Sequence, residues 1–534
     1  MSEPSFPTAS APAQAAAAAP ARSPCDLQAS ELSQLLGRGE LSSVEVVRAH
    51  LDRIASEDAA LRAFTQVFPE RALRDAALAD DERRAGRIRG PLHGLPISLK
   101  ENFDLAGEAT TFGVPGRAQT RAAADAALVT VLREAGAVIL GRTNLSQLGL
   151  YAESRNPIFG QSANPFSLAH TPGGSSGGEG AAIAAGLSPL GVGTDIGGSI
   201  RVPAHFCGIC GFKPTLDLLP MRGVGTGIAG QEAVRAMAGP LARTTQDLVL
   251  FFSALDPARM SALDGRVPPL PFRTASLGRP RVGLLLDDGL LTPSLSVQRA
   301  GRRAAQARAA RGCEVVPWQP PRAREAVFLQ LAAMSADGGS RLRRELRGQP
   351  VDPVLLALMK IARLPGLLRR GIASSVKDAL AAATLRSLGR KPVEELWRLT
   401  SEIRAWRFEV LASMDAAGVE LIVSPPFATP ALPHGGSKNF VLAASASMLW
   451  NIAQLPAGVV PVSTVRADEA KRDGAQGMLG KLAAAVDAQS AGLPLGAQLV
   501  GRPWQDARVL AAMQAVEEEV RGDEGFPRTP RLPR

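Results

Sequence analysis

Thr171-Pro-Gly-Gly-Ser-Ser-Gly-Gly-Glu-Gly180 and Gly193-Thr-Asp-Ile-Gly-Gly-Ser-Ile-Arg201 are the two stretches on which the fold and the chemistry turn. Glycine lets a backbone approach a ligand closely and take φ > 0. A run such as Ile196, Gly197, Gly198 and Ser199 can aim successive N–H groups into one concavity, which is how a backbone oxyanion hole is built. Three other readings compete. A phosphate-binding loop needs G-x-x-x-x-G-K-[ST], but Gly173 to Gly178 is followed by Glu179, which repels phosphate. A G-x-S-x-G nucleophile elbow is matched formally by Gly173–Gly177 and by Gly174–Gly178. That motif needs an apolar strand before it and an Asp then a His after it. Here the preceding Asn164 to Pro172 is largely polar, and only His205 and His434 lie downstream. A plain flexible Gly/Ser loop explains neither the second Gly-Gly-Ser nor a lysine placed upstream of both.

That lysine is Lys100, one of eight in the chain, at the end of the apolar strand pattern Pro96-Ile-Ser-Leu99. A buried lysine loses its charge readily and then serves as a base. Taken alone, Lys100 fits equally an ordinary lysine paired with its neighbour Glu101. Only its conjunction with the two Gly-Ser clusters favours the base.

Outward from these segments the pattern alternates. Helical spacing begins at Asp26, with Ser30 and Ser42 as N-caps. A helix over Asp125 to Glu134 leads into a strand over Ala137 to Leu140 and a turn at Gly141. Arg281 to Leu286, Leu421 to Val423 and Gly458 to Val462 read as later strands, and residues 320–415 as almost wholly helical. Strands alternating with helices predict an α/β body. There is no internal repeat and no clean linker. Residues 1–25, rich in Ala, Pro and Ser, read as a disordered tail. The remaining 26–534 read as one catalytic domain.

The 534 residues are 46% hydrophobic and 21% charged, a folded composition. The net charge of +10 comes with 52 arginines scattered beside acids, and aromatics are 4%. Without base-stacking rings, zinc-finger spacing or a long basic run, nucleic acid is excluded as a partner. Four cysteines make no disulfide framework. Cys207-Gly-Ile-Cys210 has only His205 nearby, so structural thiols are favoured over zinc. No signal peptide and no run of about 20 apolar residues is visible, so the expected location is cytoplasmic, peripheral on a membrane at most.

Lys100, Gly-Gly-Ser175-Ser-Gly-Gly and Gly-Gly-Ser199-Ile-Arg, at spacings of 75 and 24, together resemble the amidase signature family. Gly178-Glu-Gly, Phe206-Cys-Gly-Ile-Cys-Gly-Phe-Lys-Pro214, Glu395-Leu-Trp397, Leu455-Pro-Ala-Gly-Val-Val-Pro-Val462 and Pro503-Trp-Gln505 look most like its fatty-acid amide hydrolase branch. The chain departs from that branch in lacking an N-terminal membrane helix. The resemblance implies a large twisted mixed β-sheet flanked by helices on both faces. It implies Ser199 as nucleophile, Ser175 as a bridging serine on a cis Gly174–Ser175 peptide, and Lys100 as neutral base. It implies an oxyanion hole from Ile196, Gly197, Gly198 and Ser199, loop bracing by Thr194, Asp195 and Arg201, and no cofactor or metal. The acyl channel would be lined by Leu148, Gly149, Leu150 and Tyr151, with Thr194 at the substrate, and a homodimer is expected.

Residues 351–388 carry Val354, Leu355, Leu356, Leu358, Met359, Ile361, Leu364, Leu367 and Leu368 among Lys360, Arg363, Arg369, Arg370 and Lys377, broken at Pro365-Gly366. This reads either as an amphipathic helix packed on the body or as an interfacial pair resting on anionic lipid. The resemblance, which puts a membrane-facing cap here, tips the reading to the second and to a lipid amide substrate. The rivals are a small-molecule or peptide amidase with the same triad, and a glutamine-dependent amidotransferase subunit. A non-enzymatic binding protein would need a degenerate triad, and all three members are present.

Overall fold

A computed structural model describes residues 22–472 and 477–530. Thirteen strands follow in chain order: β1 (Phe64–Val67), β2 (Pro96–Lys100), β3 (Val138–Thr143), β4 (Arg155–Asn156), β5 (Gly160–Gln161), β6 (Leu190–Asp195), β7 (Cys210–Lys213), β8 (Met237–Ala242), β9 (Val282–Leu284), β10 (Val315–Pro317), β11 (Leu421–Ser424), β12 (Ala457–Thr464) and β13 (Pro494–Val500). Eleven of them form one mixed sheet in the order β1-β3-β2-β6-β8-β7-β12-β13-β11-β9-β10, flanked by helices. The α/β expectation holds.

The parallel trio β3-β2-β6 positions the chemistry. Ser98 lies opposite Gly191 and Leu99 opposite Val192, so β2 and β6 end side by side. Lys100, the next residue of β2, therefore comes level with Gly193, one residue short of Thr194 on β6. Every residue of β2 and β6 is buried, as for strands covered on both faces. Open α/β sheets bind ligands beyond the carboxyl ends of such strands.

The helix Gly177–Ala184, all small or apolar but for Glu179, is buried throughout. Its glycines permit close approach. A Cβ on Gly178 would lie 2.5 Å from Asn144 O, and one on Gly180 would lie 3.1 Å from Pro203 Cβ. The first Gly-Ser segment is thereby wedged between β3 and the helix Arg201–Cys207, which follows the second.

Some details differ from the sequence reading. Ser42 caps its helix as expected, in a box with Glu45. Ser30 does not: the cap of Ala29–Gly37 is Gln28, boxed with Glu31, and Ser30 N–H donates to Asp247 Oδ1 at 2.8 Å. Gly141 is not a turn but lies inside β3, because β1 pairs across it and a Cβ there would lie 3.0 Å from Val67 Cα. Most of the expected tail lies outside the described residues. Its last residues are built into the body, with Pro24–Asp26 in a 3-10 turn and Cys25 buried. The region 320–415 is helical as expected, and Pro365 separates Pro353–Arg363 from Gly366–Ser375. No helix among the described residues is long and apolar enough to cross a membrane.

Candidate active site

Lys100 is fully buried at the end of β2. Its Nζ donates to Ser175 Oγ at 2.7 Å and to Thr194 Oγ1 at 3.0 Å. Burial pushes its pKa down to about 7, partly opposed by the charges of Asp195 and Glu179. Asn102, two residues on, donates from Nδ2 to Thr194 Oγ1 at 3.2 Å and to Gly225 O at 2.9 Å. Glu101 is not the lysine's partner. Its carboxylate accepts from Thr111 N–H and Phe112 N–H, both at 2.7 Å, and so holds that loop.

Ser175 follows a cis Gly174–Ser175 peptide. Gly174 is required sterically, since a Cβ there would lie 2.7 Å from Tyr151 O. Ser176 N–H donates to Ser199 O at 3.1 Å, and Ser176 Oγ donates to Thr194 O at 3.2 Å. These bonds tie the two Gly-Ser segments together. Behind them, Glu179 accepts from Ser98 Oγ at 2.6 Å and Thr143 Oγ1 at 2.7 Å, and burial raises its carboxyl to about 7.

Asp195 and Arg201 form a wholly buried ion pair at 3.0 Å. Arg201 also reaches Ser447 O, Gln498 Oε1 and Asn451 Oδ1, at 2.9, 2.6 and 2.6 Å. Burial works against the charge on Asp195, but the Arg201 guanidinium and hydrogen bonds from Arg201, Asn451 and Gly198 hold its carboxyl well below the usual range. Asp195 accepts from Gly198 N–H at 2.8 Å and Ile200 N–H at 3.1 Å. The Gly198 donor, expected to face a substrate oxygen, is thus already engaged. The Ile196, Gly197 and Ser199 N–H groups have no acceptor among the described residues.

One pocket is lined by Ser175, Ser199, Thr194 and Ile196 together with Gly149, Leu150 and Leu148. Its remaining wall is Asn102, Phe112, Gly225–Ile228 and Ala236. Tyr151 is not part of it: its hydroxyl donates to Arg155 O at 2.6 Å, outside the channel. Sequence reasoning missed Asn102, Phe112 and the 225–236 wall. Only Asn102, beside Lys100, carried a signal that could have found it. The four cysteines are free and buried. Cys207 Sγ faces Pro172 O and Cys210 Sγ faces Thr245 and Glu517, so the C-x-x-C pair is not a joint site.

An eleven-stranded mixed sheet, with a buried lysine meeting a Gly-Ser loop at the ends of its adjacent parallel strands β2 and β6, is the build of an amide-cleaving enzyme. The family profile described as Amidase matches residues 45–510, and the chain belongs to this amidase family. It is similar to fatty-acid amide hydrolase 1 of Sus scrofa, 38% identical over 91% of this chain and 84% of that protein. It is 30% identical to fatty acid amide hydrolase 1 of Caenorhabditis elegans, over 92% of this chain and 88% of that one. Among solved structures, a fatty acid amide hydrolase aligns with a TM-score of 0.83 at 29% identity, covering 93% of this chain and 85% of that one. The native peptide amidase of Stenotrophomonas maltophilia aligns at 0.68 and 26% identity, covering 95% and 99%. The protein is an amide hydrolase close to the fatty-acid amide hydrolases, as its sequence led one to expect.

Proposed function

We propose that the protein cleaves a lipid amide through Ser199, Ser175 and Lys100. Ser199 Oγ attacks the amide carbonyl; its proton passes to Ser175 Oγ, and the proton of Ser175 passes to neutral Lys100 Nζ. The oxyanion forms against the Ile196, Gly197 and Ser199 N–H groups, removal of one such donor typically costing ~3 kcal/mol. When the C–N bond breaks, the same relay returns a proton to the departing amine. Water then cleaves the acyl ester of Ser199. The observation that carries this reading is the 2.7 Å contact from a fully buried Lys100 Nζ to Ser175 Oγ. A lysine at about 7 exchanges protons at neutral pH.

The lipid part rests on the similarity to fatty-acid amide hydrolases and on the apolar surroundings. Phe112 and Leu148 belong to both the pocket and a cluster that includes Leu346, Val354 and Leu355. The cluster reaches the helix Pro353–Arg363. On the next helix, Leu367 is 84% and Leu368 53% exposed beside Arg370. These residues suit contact with an anionic lipid surface. The similarity to a peptide amidase supports a second reading, a peptide or small-molecule amidase. Fluorophosphonate labelling of the protein, competed by acyl amides of graded chain length, separates them. Competition strengthening with chain length is expected; competition by short amides alone would overturn the lipid reading and leave the amidase.

A further inference from the structure

The relay gives no role to the buried carboxamide of Gln330, which touches the catalytic loop. Gln330, on the helix Ala323–Met334, is fully buried. Its Nε2 donates to Ile196 O at 2.9 Å and lies 3.8 Å from Met334 Sδ. Its Oε1 has no partner among the described residues. An apolar side chain would fill this site without burying an unpaired oxygen. The one strong bond that Gln330 makes runs across 134 residues of chain, to the loop carrying Ser199.

That bond has a directional consequence. A trans peptide is planar, and its C=O and N–H point to opposite sides. Ile196 C=O and Gly197 N–H belong to one such unit. A carbonyl fixed towards Gln330 therefore fixes where the unengaged Gly197 N–H points. Asp195 anchors the following N–H groups, at Gly198 and Ile200, but makes no hydrogen bond to this peptide. Glycine on its C-terminal side would otherwise let the peptide rotate at little cost.

We propose that Gln330 is a positioning residue for the oxyanion loop: it orients the Ile196–Gly197 peptide so that Gly197 N–H meets the developing oxyanion. The helical insert thereby reaches the catalytic floor. This rests on Ser199 being the nucleophile.

The test uses Gln330→Leu and Gln330→Asn in the full chain, with Ser199→Ala beside them. Steady-state kinetics on an acyl amide are read with the infrared carbonyl frequency of the acyl-enzyme. The kcat of both Gln330 variants is expected to fall about 10- to 100-fold, less than the loss of a whole donor. KM should stay within about twofold, and the acyl carbonyl band should move to higher frequency as its hydrogen bonding weakens. A merely structural role would lower thermal stability and leave the band where it was. Should Gln330→Leu fail to fold, Gln330→Asn, polar but one methylene short of Ile196 O, decides. Folded variants with wild-type kcat and an unshifted band overturn the proposal while Ser199→Ala is inactive. If Ser199→Ala retains turnover, the nucleophile reading falls, and this inference falls with it.

Discussion

At the scale of the residue, Lys100 does two things that oppose each other. Its burial disfavours the charge, and the neighbouring Asp195 and Glu179 favour it. The net result, a pKa of about 7, gives a sign for the pH dependence. The base is competent when neutral, so kcat/KM should rise with pH and level off above about 7. A profile flat from pH 5 to 9 would contradict a lysine base. Lys100→Ala should reduce amide turnover more than ester turnover, because an alkoxide leaves without the proton that an amine requires. Asp195→Asn should leave Arg201 buried without its counter-charge. Breaking such a pair costs on the order of 3–5 kcal/mol, measurable as a lower urea midpoint; an unchanged midpoint would refute the role of the pair. Lys100 was legible in the sequence because lysine is rare there and ends an apolar strand. Glu179 was visible as a group that repels phosphate and as part of the Gly178-Glu-Gly stretch, but its structural role was not. Its partners Ser98 and Thr143 lie 81 and 36 residues away, a contact that no local pattern encodes. Gln330 left no trace at all, for the same reason.

At the scale of the element, local patterning succeeded where one face or the whole strand is buried apolar. β2, β9, β11 and β12 were read within a few residues of their bounds. It failed where tertiary pairing overrides propensity. β8 reads Met-Ala-Gly-Pro-Leu-Ala, with a glycine and a proline that argue against a strand, yet Pro240 pairs with Val192 and Gly239 with Gly193. Gly141 likewise looked like punctuation, and is a glycine because β1 passes too close for a side chain. The helix Gly366–Ser375 carries its own prediction. Leu367→Ser with Leu368→Ser removes exposed apolar groups, each worth up to about 1.5–3 kcal/mol if fully buried. Binding to anionic vesicles should weaken at least tenfold, with turnover of a short soluble amide unchanged. Unaltered vesicle binding would argue that this helix faces water.

At the scale of the molecule, residues 100, 175 and 199 meet because β2 and β6 run parallel and adjacent, and the helix Gly177–Ala184 locks the intervening segment against them. The α/β class was legible from alternation, whereas the strand order came only with the structure, since pairing across the sheet is set by long-range packing. The net charge of +10, which on composition alone could suggest nucleic acid, is carried by arginines dispersed over the chain and often paired with acids, as in Arg83–Asp80 and Arg259–Glu134. The central claim is that Ser199 forms the acyl-enzyme through the Ser175–Lys100 relay. It is tested most directly by mass spectrometry of the protein quenched during turnover of an acyl amide. The account predicts one acyl group, localised to the peptide carrying Ser199, and none in Ser199→Ala, which should be inactive. Acylation at another residue, or near-wild-type turnover by Ser199→Ala, would contradict it.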